Sequence, residues 1–269
     1  MKRYPRLFLV ITIFVFVSLA CQATAPIRNL FATPTPTFTV TPSPTVTPSP
    51  TSTPTQTPTP LPTGVQIETL PNQDLRIIDY DYQFAFQLSD DWLPLSDNEE
   101  IFNQALEYAS KNNPDLADSI EDFQDVFTNE AIRLIALNFQ SQYRDKGFFP
   151  NLLVIAIRDP FIKSLPLDIL LEVNIEQLNE DVPSAKIEES GIRRNKNNVE
   201  YGYILVDTST RVNGRSVKAY QNLIIIKSTD AMILINLTAP ASKKDIVGDL
   251  LQEILDSIEL MSKFPSSSG

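Results

Sequence analysis

Residues 201–237 read YGYILVDTSTRVNGRSVKAYQNLIIIKSTDAMILINL. Three runs rich in β-branched and aromatic side chains, over 201–211, 215–227 and 231–237, are cut by two polar turns. Asn213-Gly214 is a strong hairpin signal, because both central residues of a type I′ turn need positive φ. Ser228-Thr229-Asp230 makes the next turn. Strands joined by turns this short pair antiparallel, since a parallel pair needs a long crossover. The stretch is a three-strand meander.

The segments around the meander set the fold class. Downstream, Val247, Leu250, Leu251, Ile254, Leu255 and Ile258 recur at helical spacing in a helix expected from Lys243. Upstream, a strand is expected over 185–194, preceded by a helix that opens at Ser164-Leu165-Pro166 and carries Leu167, Leu170, Leu171, Ile175 and Leu178. Strands are expected over 132–139 and 152–158, separated by a polar and aromatic loop over 141–150. Tyr80, Tyr82, Phe84, Phe86 and Leu88 alternate with Asp81, Gln83, Ala85 and Gln87, the period of a half-buried strand. Ser89-Asp90-Asp91-Trp92 breaks that pattern and Pro94 closes it. Between the early and later strands lie two expected helices. One opens at a capping box of Ser96 and Glu99, the other at Asn113-Pro114, with Leu116, Ile120, Phe123 and Phe127 on one face. The fold class is α+β: an antiparallel sheet with a C-terminal three-strand meander, helices packed on the sheet, and an added helix pair.

The front of the chain follows other rules. Lys2, Arg3 and Arg6 precede the apolar run LFLVITIFVFVSLA over residues 7–20, the length of a signal-peptide core and short of a bilayer span. Ser18-Leu19-Ala20-Cys21 resembles a lipobox, the site at which bacterial lipoproteins are cleaved and lipidated, although Leu19 sits one place late. Cys21 is the single cysteine, so it has no internal disulfide partner. The resemblance implies lipidation at Cys21 and a membrane anchor; an ordinary secretory signal or an uncleaved anchor is the alternative. Residues 33–63 (TPTPTFTVTPSPTVTPSPTSTPTQTPTPLPT) carry no charge and no glycine. Alternating Thr-Pro favours polyproline II and gives a semi-rigid spacer on the order of 90 Å when extended. The expected domain map is a signal peptide over 1–21, a disordered Thr/Pro linker over 22–64, an α+β domain over 65–262 and a disordered tail over 263–269.

YQFAFQLSDDW, followed by the helix after Pro166, the strand around Ile187, the meander and the closing EILDSI, is similar to the PsbP-like fold. That fold is shared by the extrinsic photosystem II subunit, a Ran-binding nuclear import factor and many bacterial lipoproteins. The likeness covers roughly residues 76–260, and the helix pair over 97–127 is an insertion relative to shorter members. It implies a non-catalytic binding or assembly module, not photosynthesis. The metal-binding histidines of some relatives have no counterpart in this chain, which has no histidine.

Composition narrows the chemistry. All 33 acidic residues follow residue 65, against 18 of the 22 basic ones. That surface repels phosphate backbones, so nucleic acid is excluded as a partner. Without histidine there is no Ser-His-Asp or Cys-His system and no His-ligated zinc, and one cysteine rules out thiolate metal sites. Seven glycines and no GxxxxGK[ST] or GxGxxG argue against a phosphate cradle. No cofactor, metal site or catalytic residue is assigned.

Asp90, Asp91, Asp97, Glu99 and Glu100 cluster around Trp92, a pattern that suits carboxylate-based sugar chemistry or calcium. It also suits a turn followed by a first helical turn, where acids complement the helix dipole. Trp92, Tyr143, Phe148 and Phe149 are the candidate partner-binding aromatics, with Tyr108 beside them. The expected protein is an exported lipoprotein, anchored through Cys21 and facing outside the cytoplasm. Its domain binds an envelope or extracellular protein as an assembly accessory. Solute or lipid binding and a carboxylate-based hydrolase remain as alternatives.

Overall fold

The computed structural model describes residues 62–112, 120, 123–145, 147–212, 215–228 and 231–261. Cys21, the signal segment, the Thr/Pro linker up to residue 61, the Asn113-Pro114 helix start, the Asn213-Gly214 turn and the tail over 263–269 lie outside them.

The fold is α+β with antiparallel sheets. Strands β1 (Val65–Thr69), β2 (Leu75–Asp79) and β3 (Phe84–Leu88) form a small sheet, completed by the two-residue β11 (Glu259–Leu260) beside β3. The larger sheet contains β4 (Trp92–Leu95), β5 (Ile132–Asn138), β6 (Asn151–Ile157), β7 (Lys186–Arg194), β8 (Glu200–Val212), β9 (Arg215–Lys227) and β10 (Met232–Pro240). Its order is β4-β5-β6-β10-β9-β8-β7, every neighbour antiparallel. The meander expected from sequence is β8-β9-β10, and β7 extends it to four strands.

Four helices of the described chain cover this sheet: α1 (Glu99–Asn112), the short α2 (Pro160–Ser164), α3 (Leu167–Asp181) and α4 (Lys244–Ser257). One sheet face presents Ala136, Val154, Ile224 and Ile235 to Phe84 and Phe86 of the small sheet and to Val247 and Ile254 of α4. The other presents Ile135, Leu153, Ile225 and Leu234 to Phe102 of α1 and Leu170 of α3. Ile120 and Phe123, from the expected second inserted helix, are buried in this second layer. Burial on both faces explains why β10 reads as a continuous apolar run, with all nine of its residues buried. Asn236 and Thr238 of its Asn-Leu-Thr sequon are buried too, joined by an Asn236 Nδ2 to Thr238 Oγ1 bond of 3.2 Å.

Several local readings change. The strand expected from Tyr80 begins at Phe84, because Asp79 Oδ1 accepts the Tyr82 N–H and holds 80–83 in a turn, with Gln83 at φ 59°. Helix α1 is capped by Asn98, whose Oδ1 accepts from Glu100 N at 3.0 Å and Ile101 N at 3.4 Å. Ser96, buried just after β4, accepts from Asn98 N at 3.2 Å and shapes the turn into the helix. Pro94 does not end a strand; it lies inside β4, an edge strand, where a missing N–H is tolerated.

Candidate functional site

Both β1 and β4 are edge strands, one from each sheet, and a cleft of about 730 Å³ lies between them. Gln66, Ile67 and Thr69 of β1 form one wall. Consecutive Trp92, Leu93 and Pro94 of β4 border the other side, which continues into Ile101, Gln104 and Tyr108 of α1. Side chains alternate across a strand. A wall built from successive residues therefore places the strand edge, rather than one face, at the cleft.

Backbone registry shows what each edge offers. Tyr80 N bonds Gly64 O, and Leu70 N bonds Asp74 O, so the even-numbered residues of this segment bond to β2. The N–H and C=O groups of Val65, Ile67 and Thr69 therefore point outward, with no partner among the described residues. On β4 the outward positions are Trp92 and Pro94, because Asn138, opposite Trp92, directs its N–H to Pro150 O. Trp92 N is already bonded to Ser89 O, and Pro94 has no N–H. Free backbone donors thus come from the β1 side.

The charged side chains that line the cleft are all acidic: Asp90, Asp91 and Glu100. Gln140 Nε2 donates to Asp91 Oδ1 at 2.5 Å, and Gln104 Nε2 to Glu100 Oε1 at 3.3 Å. Asp97 and Glu99, the other members of the acidic cluster seen in sequence, do not line it. Trp92 is 2 % exposed, and among the described residues its buried Nε1 has no hydrogen-bond partner, nor do Asn138 Nδ2 and Ser89 Oγ. Tyr108, at 55 % exposure, supplies the open aromatic surface. Among the described residues, no three or more His, Cys, Asp or Glu side chains are grouped to hold a metal ion.

The remaining sequence-named aromatics sit on the neighbouring loop. Phe149 packs edge-on against Phe139 at 5.5 Å between centroids, and Phe139 lines the cleft. The Arg144 guanidinium lies 4.7 Å from the Phe149 ring centre. Phe148, 6 % exposed, packs on Val217 and Ala219 of β9, and half-buried Tyr143 packs on the layer between the sheets. The structure brings Trp92 and Tyr108 into one cleft, sets Phe149 behind its wall, and places Phe148 and Tyr143 elsewhere.

Sequence reading missed a buried charged group elsewhere in the fold, at the far end of β2 from the cleft. Arg133 of β5, 6 % exposed, bonds Asp79 Oδ2 at 2.7 Å and Asp81 Oδ2 at 2.8 Å. Its guanidinium and that of Arg158 lie 4.9 and 4.6 Å from the Tyr82 ring centre. Burial pushes the Asp79 carboxyl above its ordinary value, against the pull of Arg133. Burial alone would lower Arg133, but Asp79, with Asp97 and Asp81, holds it above its ordinary value and charged. The available signal was a lone arginine in the apolar run AIRLIAL. A second group joins Lys244 to Glu188, with Lys244 Nζ 4.7 Å from the Tyr220 ring centre. There the Lys244 hydrogen bond holds Glu188 below its ordinary value, while burial and a hydrogen bond to Glu188 raise Asp207.

No family model and no curated protein matches the chain. Several solved structures are similar to it. The solution structure of cyanobacterial PsbP from Synechocystis sp. shares 12% identity at a TM-score of 0.43, covering 69% of this chain and 91% of that one. LpqN of Mycobacterium tuberculosis, involved in cell envelope biogenesis, shares 12% at a TM-score of 0.40, covering 66% and 83%. The Saccharomyces cerevisiae Ran-binding protein Mog1p shares 11% at a TM-score of 0.42, covering 70% and 96%.

Proposed function

We propose that this chain is an exported lipoprotein of the PsbP-like kind, anchored to a membrane through a lipidated Cys21. Its non-catalytic domain binds a protein partner as an accessory of an envelope assembly. Residues 1–21 are the signal peptide, 22–64 the stalk, 65–262 the domain and 263–269 a tail. The observation that carries the binding reading is the open cleft between β1 and β4, with Tyr108 exposed at it and Trp92 beneath. Aromatic side chains held at an open cleft by rigid elements are common binding anchors. Phe149 supports this surface through Phe139, and Tyr143 and Phe148 hold the loop that carries it. Among the described residues no helix is long and apolar enough to cross a membrane. Two or more acyl chains hold a protein stably at a bilayer, where one does so marginally.

Two measurements test the reading. Cys21→Ser abolishes incorporation of labelled fatty acid and releases the chain from membranes; continued membrane partitioning with an unchanged N-terminus sinks the anchor. A photo-crosslinking amino acid at position 108 captures one discrete envelope protein in intact cells. Capture of no protein, with a solute or lipid co-purifying in native mass spectrometry, transfers the cleft to small-molecule binding, for which its volume is also adequate.

A further inference from the structure

We infer that the free edge of β1 is a strand-addition site, and that the partner segment it takes is an extended, basic, proline-free peptide lying in the cleft. This rests on the protein-binding reading above and names its chemistry.

Three observations converge on the segment. The N–H and C=O groups of Ile67 and Thr69 point out of the β1–β2 ladder into the cleft without partners among the described residues, a template for an incoming strand, while Val65 at the start of β1 is buried. The space beside them is a cleft of about 730 Å³ rather than a covering helix or loop. The opposite wall cannot compete for the same backbone donors and acceptors in full. Trp92 N is spent on Ser89 O and Pro94 has no N–H, so β4 leaves the peptide to β1.

Charge then selects the peptide. Asp90, Asp91 and Glu100 are the charged lining groups. Positive charge near the cleft is limited: Arg76 on β2 is already shared between Glu68 at 3.8 Å and Glu259 at 3.2 Å. A peptide with Lys or Arg at alternate positions sets its cations against these carboxylates while its backbone pairs with β1. An acidic peptide meets repulsion, and a proline-rich one lacks the N–H groups that the β1 carbonyls require. The charged far edge at β7, by contrast, carries Lys186, Glu188, Glu189, Arg193 and Arg194 and a bulge near Ile187, features that deter edge pairing.

The full-length chain, held in zwitterionic detergent micelles, is screened against a random library of peptides about ten residues long displayed on phage. The expected selection is rich in Lys and Arg and poor in Pro, Asp and Glu. Synthetic versions of the winners slow deuterium uptake over Val65–Thr69, read by mass spectrometry. Thr69→Pro removes one outward N–H from an exposed residue without touching a β1–β2 bond, and it weakens binding at least about tenfold. A combined Asp90→Lys and Asp91→Lys variant, on the surface and away from β1, weakens it as well. No selected peptide, selection of acidic or proline-rich sequences, unchanged uptake over Val65–Thr69, or full affinity in the Thr69→Pro chain each overturns the proposal. If position 108 still captures its partner in the Thr69→Pro chain, strand addition fails and the binding module stands. If it captures nothing even in the unaltered chain, the module reading itself fails.

Discussion

Arg133 Nε donates to Asp79 Oδ2 at 2.7 Å, and the two side chains are 7 % and 1 % exposed. This ion pair ties the end of β2 in the small sheet to β5 in the large one. A buried charge left without its partner costs about 3–5 kcal/mol, whereas removal of both charges is often far milder. Arg133→Met is therefore expected to destabilise the chain by about 3–5 kcal/mol. Asp79→Asn, which keeps the acceptor for Tyr82 N, costs less, because Arg133 retains Asp81. The double variant is expected to show a coupling energy of about 0.5–3 kcal/mol in urea unfolding. Strict additivity of the two single changes excludes the pair as the link between sheets.

The same carboxyl gives a pH dependence of defined sign. Burial raises the folded pKa of Asp79 above its unfolded value, so on acidification the folded chain takes up this proton first. The contribution of the group to stability is complete below the unfolded value of about 3.9 and is lost as pH rises through the raised folded one. Relative to Asp79→Asn, the unaltered chain should gain stability on going from neutral pH down through that window. Paired unfolding curves at several pH values check this. A gain for the unaltered chain on raising the pH means that the ion pair, not burial, governs the site.

A second buried polar residue fixes the closing helix. Asn195, in the turn between β7 and β8, donates through Nδ2 to Leu255 O at 2.8 Å and Ile258 O at 2.9 Å. Its Oδ1 accepts from Val199 N at 2.8 Å. One side chain thus adds a donor to Leu255 O, which also accepts from Ile258 N at 3.2 Å, and to Ile258 O, which also accepts from Asn197 Nδ2 at 3.1 Å, at the C-terminal end of α4. Asn195→Ala removes these two donors and leaves the buried Val199 N–H without its acceptor, and it is expected to cost about 1–3 kcal/mol. Asn195→Asp should do worse near neutral pH, since a carboxylate would face two carbonyl oxygens. Equal stability of the two variants by chemical denaturation removes the capping role.

The elements that sequence pattern located are those where periodicity and length agree. The helices at Leu167 and Lys244 each bury one stripe, and the meander strands are long and bounded by turn residues. Of the small sheet the sequence pattern showed β3, while β1 and β2 escaped notice for a physical reason. In LRIID both Ile77 and Ile78 are buried, so β2 shows no alternation, and β1 exposes most of its five residues. The edge position of β4 hid it as well, because Pro94 reads as a terminator unless its outward orientation is known. At the candidate site, Trp92 and the acids at 90, 91 and 100 were visible as a cluster. The opposite wall was not, since it comes from β1, whose contribution is backbone rather than side chain. Backbone donors leave no trace in residue identity.

Trp92 supplies the last test, because it is the only tryptophan in the chain and its environment is contradictory. The indole is 2 % exposed and packed in the layer between the sheets, yet its Nε1 has no acceptor among the described residues. Deleting the ring opens a core cavity, so Trp92→Ala is expected to cost about 3–5 kcal/mol. Trp92→Phe loses part of the packing but also removes a buried unpaired donor, a group whose desolvation costs about 1–3 kcal/mol. These two effects oppose each other, and Trp92→Phe should stay within about 1.5 kcal/mol of the unaltered chain. Far-ultraviolet circular dichroism in urea reads both variants, since neither retains a tryptophan to report by fluorescence. A Trp92→Phe cost as large as that of Trp92→Ala shows that Nε1 is paired in solution, which makes this donor part of the cleft's recognition chemistry rather than a strained packing group.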